Sequence, residues 1–171
     1  MRRFNKILYR IKQFHWNATA KLDYNDMIYL RMHLDDDELD IFNKLSVSEQ
    51  KHCIKVAYGI EELYEEGKYN LNKDEFIKVA LLHDIGKSIH KVNIIKKSII
   101  VIMDKITHSQ IKNIENLKSI NIYYNHPYLG YCILKKRNKY TDEMLYLIKN
   151  HHNENIINEE LRLLIYIDNL N

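Results

Sequence analysis

The sequence predicts an all-α protein, a compact helical bundle with an N-terminal helical extension. Three observations carry that prediction. Apolar residues recur at helical spacing along most of the chain, and strict alternation is nowhere sustained. Glycine (4) and proline (1) are scarce, which leaves little turn chemistry for β-hairpins. At 171 residues, with 46% hydrophobic and 29% charged content, the chain can bury a real core and lies far from disordered composition.

The net charge of +3 is small, and the abundance of lysine, asparagine, isoleucine and tyrosine reads as codon bias. A nucleic-acid partner is therefore not implied. Cys53 and Cys132 are too few and too far apart for a disulfide framework or a thiolate zinc site. They fit a reducing cytoplasm as small buried apolar residues. The longest apolar run, Ile99 to Met103, cannot cross a bilayer, and the N-terminus has no secretory signal. A cytoplasmic location is expected.

Residues 3–16 set Phe4, Ile7, Leu8, Ile11 and Phe14 on one face, with basic residues mostly off it and no acid before Asp23. An amphipathic helix docked on the domain is the favoured reading. Contact of this first helix with a membrane surface or with nucleic acid is the weaker alternative. Residues 24–45 read as one or two further helices, the acidic run Asp35 to Glu38 suiting a helix start. Together these form the extension, residues 1–45; residues 46–171 form the main domain.

Ser46-Val47-Ser48-Glu49 is a capping-box pattern opening a helix to about Glu66, stopped by Gly67. Its face carries Cys53, Val56, Ala57, Ile60 and Leu63, with His52 at the edge. The next helix begins near Asn72 and puts His83 on the stripe of Phe76, Val79 and Ala80. Gly86 is placed to end it in a left-handed conformation. Helices are expected over 92–106 and 109–120. His126 precedes the only proline, and so should cap a helix over 127–137. Another helix follows Thr141 and ends at Asn150-His151-His152. In the last, about 158–169, Asp168 continues the stripe of Leu161, Leu164 and Ile165.

Five histidines and two aspartates thus fall at helix ends or on apolar faces: His52, His83, Asp84, His126, His151, His152 and Asp168. Each has an ordinary structural explanation alone, such as a hydrogen-bonded core histidine or a charge complementing a helix dipole. A carboxylate facing a core, as Asp168 does, needs a partner or a metal. One metal centre explains the set together. Imidazole and carboxylate donors without thiolate suit iron, manganese, zinc, cobalt or nickel, with magnesium fitting less well. Seven donors divide between two divalent ions, and Asp84 has the two oxygens needed to bridge a pair roughly 3.5–4 Å apart. His15, His33 and His108 are assigned to surface or packing, while His90 lies where it could face a substrate.

The order of these residues resembles the HD-domain superfamily of metal-dependent phosphohydrolases, over about residues 46–171. His83-Asp84-Ile85-Gly86-Lys87 is an intact HDIGK string. His126-Pro127-Tyr128-Leu129-Gly130 is similar to the superfamily's second-metal segment, and Ile148-Lys149-Asn150-His151-His152 to the paired-histidine segment of the HD-GYP cyclic dinucleotide phosphodiesterases. The resemblance implies one ion held by His52, His83, Asp84 and Asp168, and another held by Asp84, His126, His151 and His152. It implies Lys87 on a substrate phosphate oxygen, a bridging hydroxide as nucleophile, and a nucleotide or related phosphate ester as substrate. The chain departs from that class in two places. Asn153-Glu154-Asn155-Ile156 stand where a Gly-Tyr-Pro string would follow, and Ser48 replaces the glutamate of three-metal relatives. A diiron oxygenase and a non-catalytic metal-containing signalling module are the alternatives. Oligomeric state is not legible.

Overall fold

The computed structural model describes residues 20–89, 118–153, 155 and 157–171. Within them lie α1 (Tyr24–His33), α2 (Asp36–Phe42), α3 (Val47–Leu63), α4 (Lys73–Leu82), a 3-10 helix (Ile85–Ile89), α5 (Lys118–Lys135), α6 (Asp142–Asn150) and α7 (Glu159–Leu170). No strand occurs among the described residues, so the all-α expectation holds. The expected helices over 3–16, 92–106 and most of 109–120 lie outside the described residues, as do His15, His90 and His108.

Local sequence explains most helix starts. Asp23, Asp35, Ser46 and Asn72 each accept the backbone N–H three residues on, and the acid at that position reaches back to the cap amide. Each such pair satisfies two donors that a helix start leaves over. Thr141 and Asn158 cap α6 and α7 in the one-sided form. Residues 24–45 form two helices, and the acidic run opens the second.

One hydrophobic core runs through all of these elements, from Leu30 and Phe42 through Ile54, Ile60, Phe76 and Leu82 to Leu147 and Leu164. At this core α3 packs on α4 and α7, while the 3-10 helix packs on α5. Cys53 is buried as expected; Cys132 is only half-buried. His33 is a packing residue, its ring centroid 4.6 Å from that of Tyr29.

Three expectations are corrected. Helix α3 stops at Leu63, short of Glu66, because Tyr64 turns extended at ψ 127°. Gly67, at φ +78°, takes the left-handed position within the following turn. Gly86 does not adopt that conformation; the chain tightens instead into the 3-10 helix. Finally, α5 runs unbroken from Lys118 to Lys135 with Pro127 inside it, so His126 is an interior helical residue and not a cap.

Two glycines set the spacing of the elements around His83 and Asp84. A Cβ on Gly86 would stand 2.0 Å from the His126 carbonyl oxygen and 2.7 Å from the Gly130 amide nitrogen. Only a bare backbone lets the 3-10 helix approach α5 this closely. A Cβ on Gly59 would meet the Ile167 Cγ2 at 2.5 Å, so α3 and α7 also meet closely, one residue from Asp168.

Candidate metal centre

Seven side chains from five segments converge between α3, the α4 C-terminus, α5, α6 and α7. They form two clusters with Asp84 between them. In the first, His52 Nε2 lies 2.8 Å from Asp168 Oδ1 and His83 Nε2 3.6 Å from the same oxygen. In the second, His126 Nε2 stands 3.0 Å from His152 Nε2 and 3.3 Å from His151 Nε2. The two carboxylate oxygens of Asp84 divide between them. Oδ2 faces His83 at 3.7 Å and His52 at 4.0 Å, whereas Oδ1 faces His126 at 3.2 Å and His151 at 3.8 Å. His83 sits between the clusters, its ring edge-on to both His52 and His151.

The backbone fixes three of the rings. His83 and His151 each donate Nδ1–H to the carbonyl three residues back, Ala80 and Ile148, at 2.7 Å. Both follow the last residue of a helix, where carbonyls lack helical partners. His126 has no helix end to use. Its Nδ1–H goes to the Tyr123 carbonyl at 2.9 Å, with Ile122 at 3.2 Å. The amide that would otherwise reach Tyr123 belongs to Pro127, which has none. The proline thus frees a carbonyl for the preceding histidine, which also explains why it sits within a helix.

With Nδ1 carrying the hydrogen, each Nε2 presents a lone pair. His126 and His151 therefore place two acceptor nitrogens 3.3 Å apart, beside the Asp84 carboxylate. His83 Nε2 and Asp84 Oδ1 are fully buried without a hydrogen-bond partner. Buried acceptors facing one another are costly unless a cation lies between them. The donor set fits divalent ions by its own chemistry.

Electrostatics divide the clusters in the same way. Burial, with the charge of neighbouring groups, holds His126 below its ordinary range and His151 well below it. Burial likewise pushes His152 down to about 4. Burial disfavours charge on His83 too, but Asp84 and Asp168 outweigh it and raise its pKa. Burial opposes ionisation of Asp84, yet Lys87 and His83 keep it well below the carboxylate range. Asp168 is held down by His52 and His83 against the same burial cost.

Lys87, with its side chain 17% exposed, places Nζ 2.5 Å from Asp84 Oδ2. Burial works against its charge, but Asp84 raises its pKa and keeps it an ammonium. Sequence reasoning missed Cys53, whose sulfur stands beside His83 and Asp84. A lone cysteine one residue after a candidate ligand gives no spacing signal. It also missed Glu38, a fully buried acid held by Lys78 at 3.1 Å and Lys139 at 3.4 Å. That residue reads in sequence only as part of an acidic helix start.

Taken together, the fold and site define an all-helical protein with partly buried histidine–aspartate clusters suited to metal ions. The HD-domain family model matches residues 50–171, and the chain belongs to that family, whose members are largely metal-dependent phosphohydrolases. Neither the curated proteins nor the solved structures include a match. No helix among the described residues is long and apolar enough to cross a membrane.

Proposed function

We propose that the protein is a metal-dependent phosphohydrolase acting on a nucleotide or related phosphate ester at a centre of two divalent ions. His52, His83, Asp84 and Asp168 would hold one ion, and Asp84, His126, His151 and His152 the other. The observation that carries this is the division of Asp84: one oxygen turned to each cluster, on a carboxylate 1% exposed. Bound ions would supply Lewis acidity and an activated water as nucleophile. Iron or manganese fit this nitrogen and oxygen set, with zinc, cobalt or nickel next.

The protein's own groups do the rest. The Nδ1–H bonds of His83, His126 and His151 hold the rings in one orientation, so that Nε2 needs no reorganisation to bind. Lys87 anchors Asp84 with one N–H from a side chain 17% exposed, and its remaining donors would neutralise a phosphate oxygen. His152 is exposed and marks the open side of the second cluster. No protein nucleophile is required. Cys53 is fully buried and so is out of reach of a substrate as a nucleophile.

Metal analysis of protein purified without chelator, followed by a panel of nucleotides and phosphodiesters, tests the proposal. Two ions per chain and metal-dependent phosphate release are expected, with both lost together in Asp84→Ala. Undiminished hydrolysis by an ion-free Asp84→Ala protein would overturn it. An oxygen-dependent product without phosphate release would select the oxygenase instead.

A further inference from the structure

The seven nitrogen and oxygen donors do not exhaust the side chains around Asp84. Cys53 follows His52 on α3 and turns inward, with no exposed surface. Its Sγ, a ring nitrogen of His83 and a carboxylate oxygen of Asp84 all lie within 4.8 Å of one another. A small thiol buried against apolar neighbours is ordinary. Here its neighbours His83 and Asp84 are polar and buried, and His83 Nε2 has no hydrogen-bond partner.

We infer that Cys53 is a sulfur donor to the metal centre, completing with His83 and Asp84 a buried nitrogen, oxygen and sulfur set for a thiophilic divalent ion of the zinc or cobalt class. This rests on the two-cluster metal centre proposed above and changes the metal expected there, since a thiolate favours zinc over the harder manganese and magnesium. Bond lengths of about 2.0–2.3 Å place donors roughly 3.6 Å apart in a tetrahedral site. Pairs of these atoms, within 4.8 Å of one another, therefore stand at most about 1.2 Å further apart than such a site requires. The chemistry is an exchange without redox: the S–H bond breaks, a sulfur–metal bond forms, and one proton passes to solvent. Cys132 has no such setting. It is half-buried on α5 and belongs to no cluster of three donors among the described residues.

Cobalt(II) loading of the full chain tests the assignment by spectroscopy, independently of activity. The wild type should show a near-ultraviolet sulfur-to-cobalt charge-transfer band that is retained in Cys132→Ala. Cys53→Ala should lose the band, still take up cobalt on nitrogen and oxygen donors, and bind it about tenfold more weakly or worse. Cobalt bound by the wild type without that band, or a band that follows Cys132, overturns the role of Cys53 and leaves the metal centre standing. Failure of the wild type to bind cobalt at all overturns both. If Cys53→Ala does not fold, cadmium-113 resonance of the wild type decides. A shift in the sulfur-ligated range supports the assignment, and one in the purely nitrogen and oxygen range overturns it.

Discussion

His126 donates its Nδ1 hydrogen to the Tyr123 carbonyl across 2.9 Å, and the amide that would normally occupy that carbonyl is the one Pro127 lacks. The same residue that weakens the helix therefore orients a ring of the second cluster. Pro127→Ala separates the two effects. Restoring an amide should raise stability, by up to about 3 kcal/mol on helix propensity. It should also let His126 populate the other tautomer and weaken metal binding about 10–100-fold, the usual effect of losing an orienting partner. Nitrogen-15 spectra of the ring, metal titration and thermal melts read the three consequences. Unchanged tautomer and affinity would show that the proline is only a tolerated irregularity.

Gly86 makes a different kind of contribution. An added methyl would collide with the backbone of α5 at 2.0 Å, and backbone cannot turn aside as a side-chain tip can. Gly86→Ala should lower stability by about 3 kcal/mol or more, as severe overpacking does, and separate Asp84 from His126. Gly59→Ala meets only the Ile167 side chain and should cost less. Gly67→Ala meets nothing within 4 Å and should cost about 1 kcal/mol, from its positive φ alone. Chemical denaturation of the three variants gives the order, and a Gly86→Ala protein as stable as Gly67→Ala would contradict the close approach.

How much of this was legible in the sequence depended on whether the signal was local. The capping box at Ser46 and the acidic start at Asp35 were readable because caps act over three residues. Asp168 stood out because a carboxylate interrupted an apolar stripe, and it does meet His52. Helix α5 departs from its expected start because the rule that proline starts helices assumes the lost hydrogen bond has no other use. Here a side chain uses it. The role of Gly86 is not legible locally, because its constraint comes from α5, 40 residues away in sequence. Helix ends and apolar stripes pick out the seven donors, and the resemblance to the HD family adds which of them would share each ion.

The stability of the metal-stripped protein should pass through a maximum between about pH 6 and 7. His126, His151 and His152 have pKa values below the ordinary imidazole value of about 6.5. Groups held down in this way stabilise the fold above that value. They withdraw that stability as pH falls through their folded pKa values, to about 4 for His152. His83 is shifted upward, so its contribution is complete below about 6.5 and is lost as pH rises through its folded pKa. The two effects occupy separate pH windows. Urea midpoints measured from pH 4.5 to 8.5 after chelation should fall on both sides, and a flat profile would deny that His83, His126 and His151 are buried as described.

Lys87 is tied to Asp84 Oδ2 at 2.5 Å, so its substitution tests whether it serves the carboxylate or the phosphate. Were its function only to hold Asp84, Lys87→Ala should release that oxygen and change metal affinity most, with turnover restored once metal is saturating. For a lysine that also neutralises a phosphoryl oxygen, turnover at saturating metal should stay depressed by about 100-fold or more, the scale of losing one preorganised donor. The proposed function requires the second result. Lys87→Arg keeps the charge but replaces a point ammonium by a planar fork in a site only 17% exposed. It should therefore recover only part of the rate. Wild-type turnover by Lys87→Ala with saturating metal would remove Lys87 from the reaction and leave it a structural partner of Asp84.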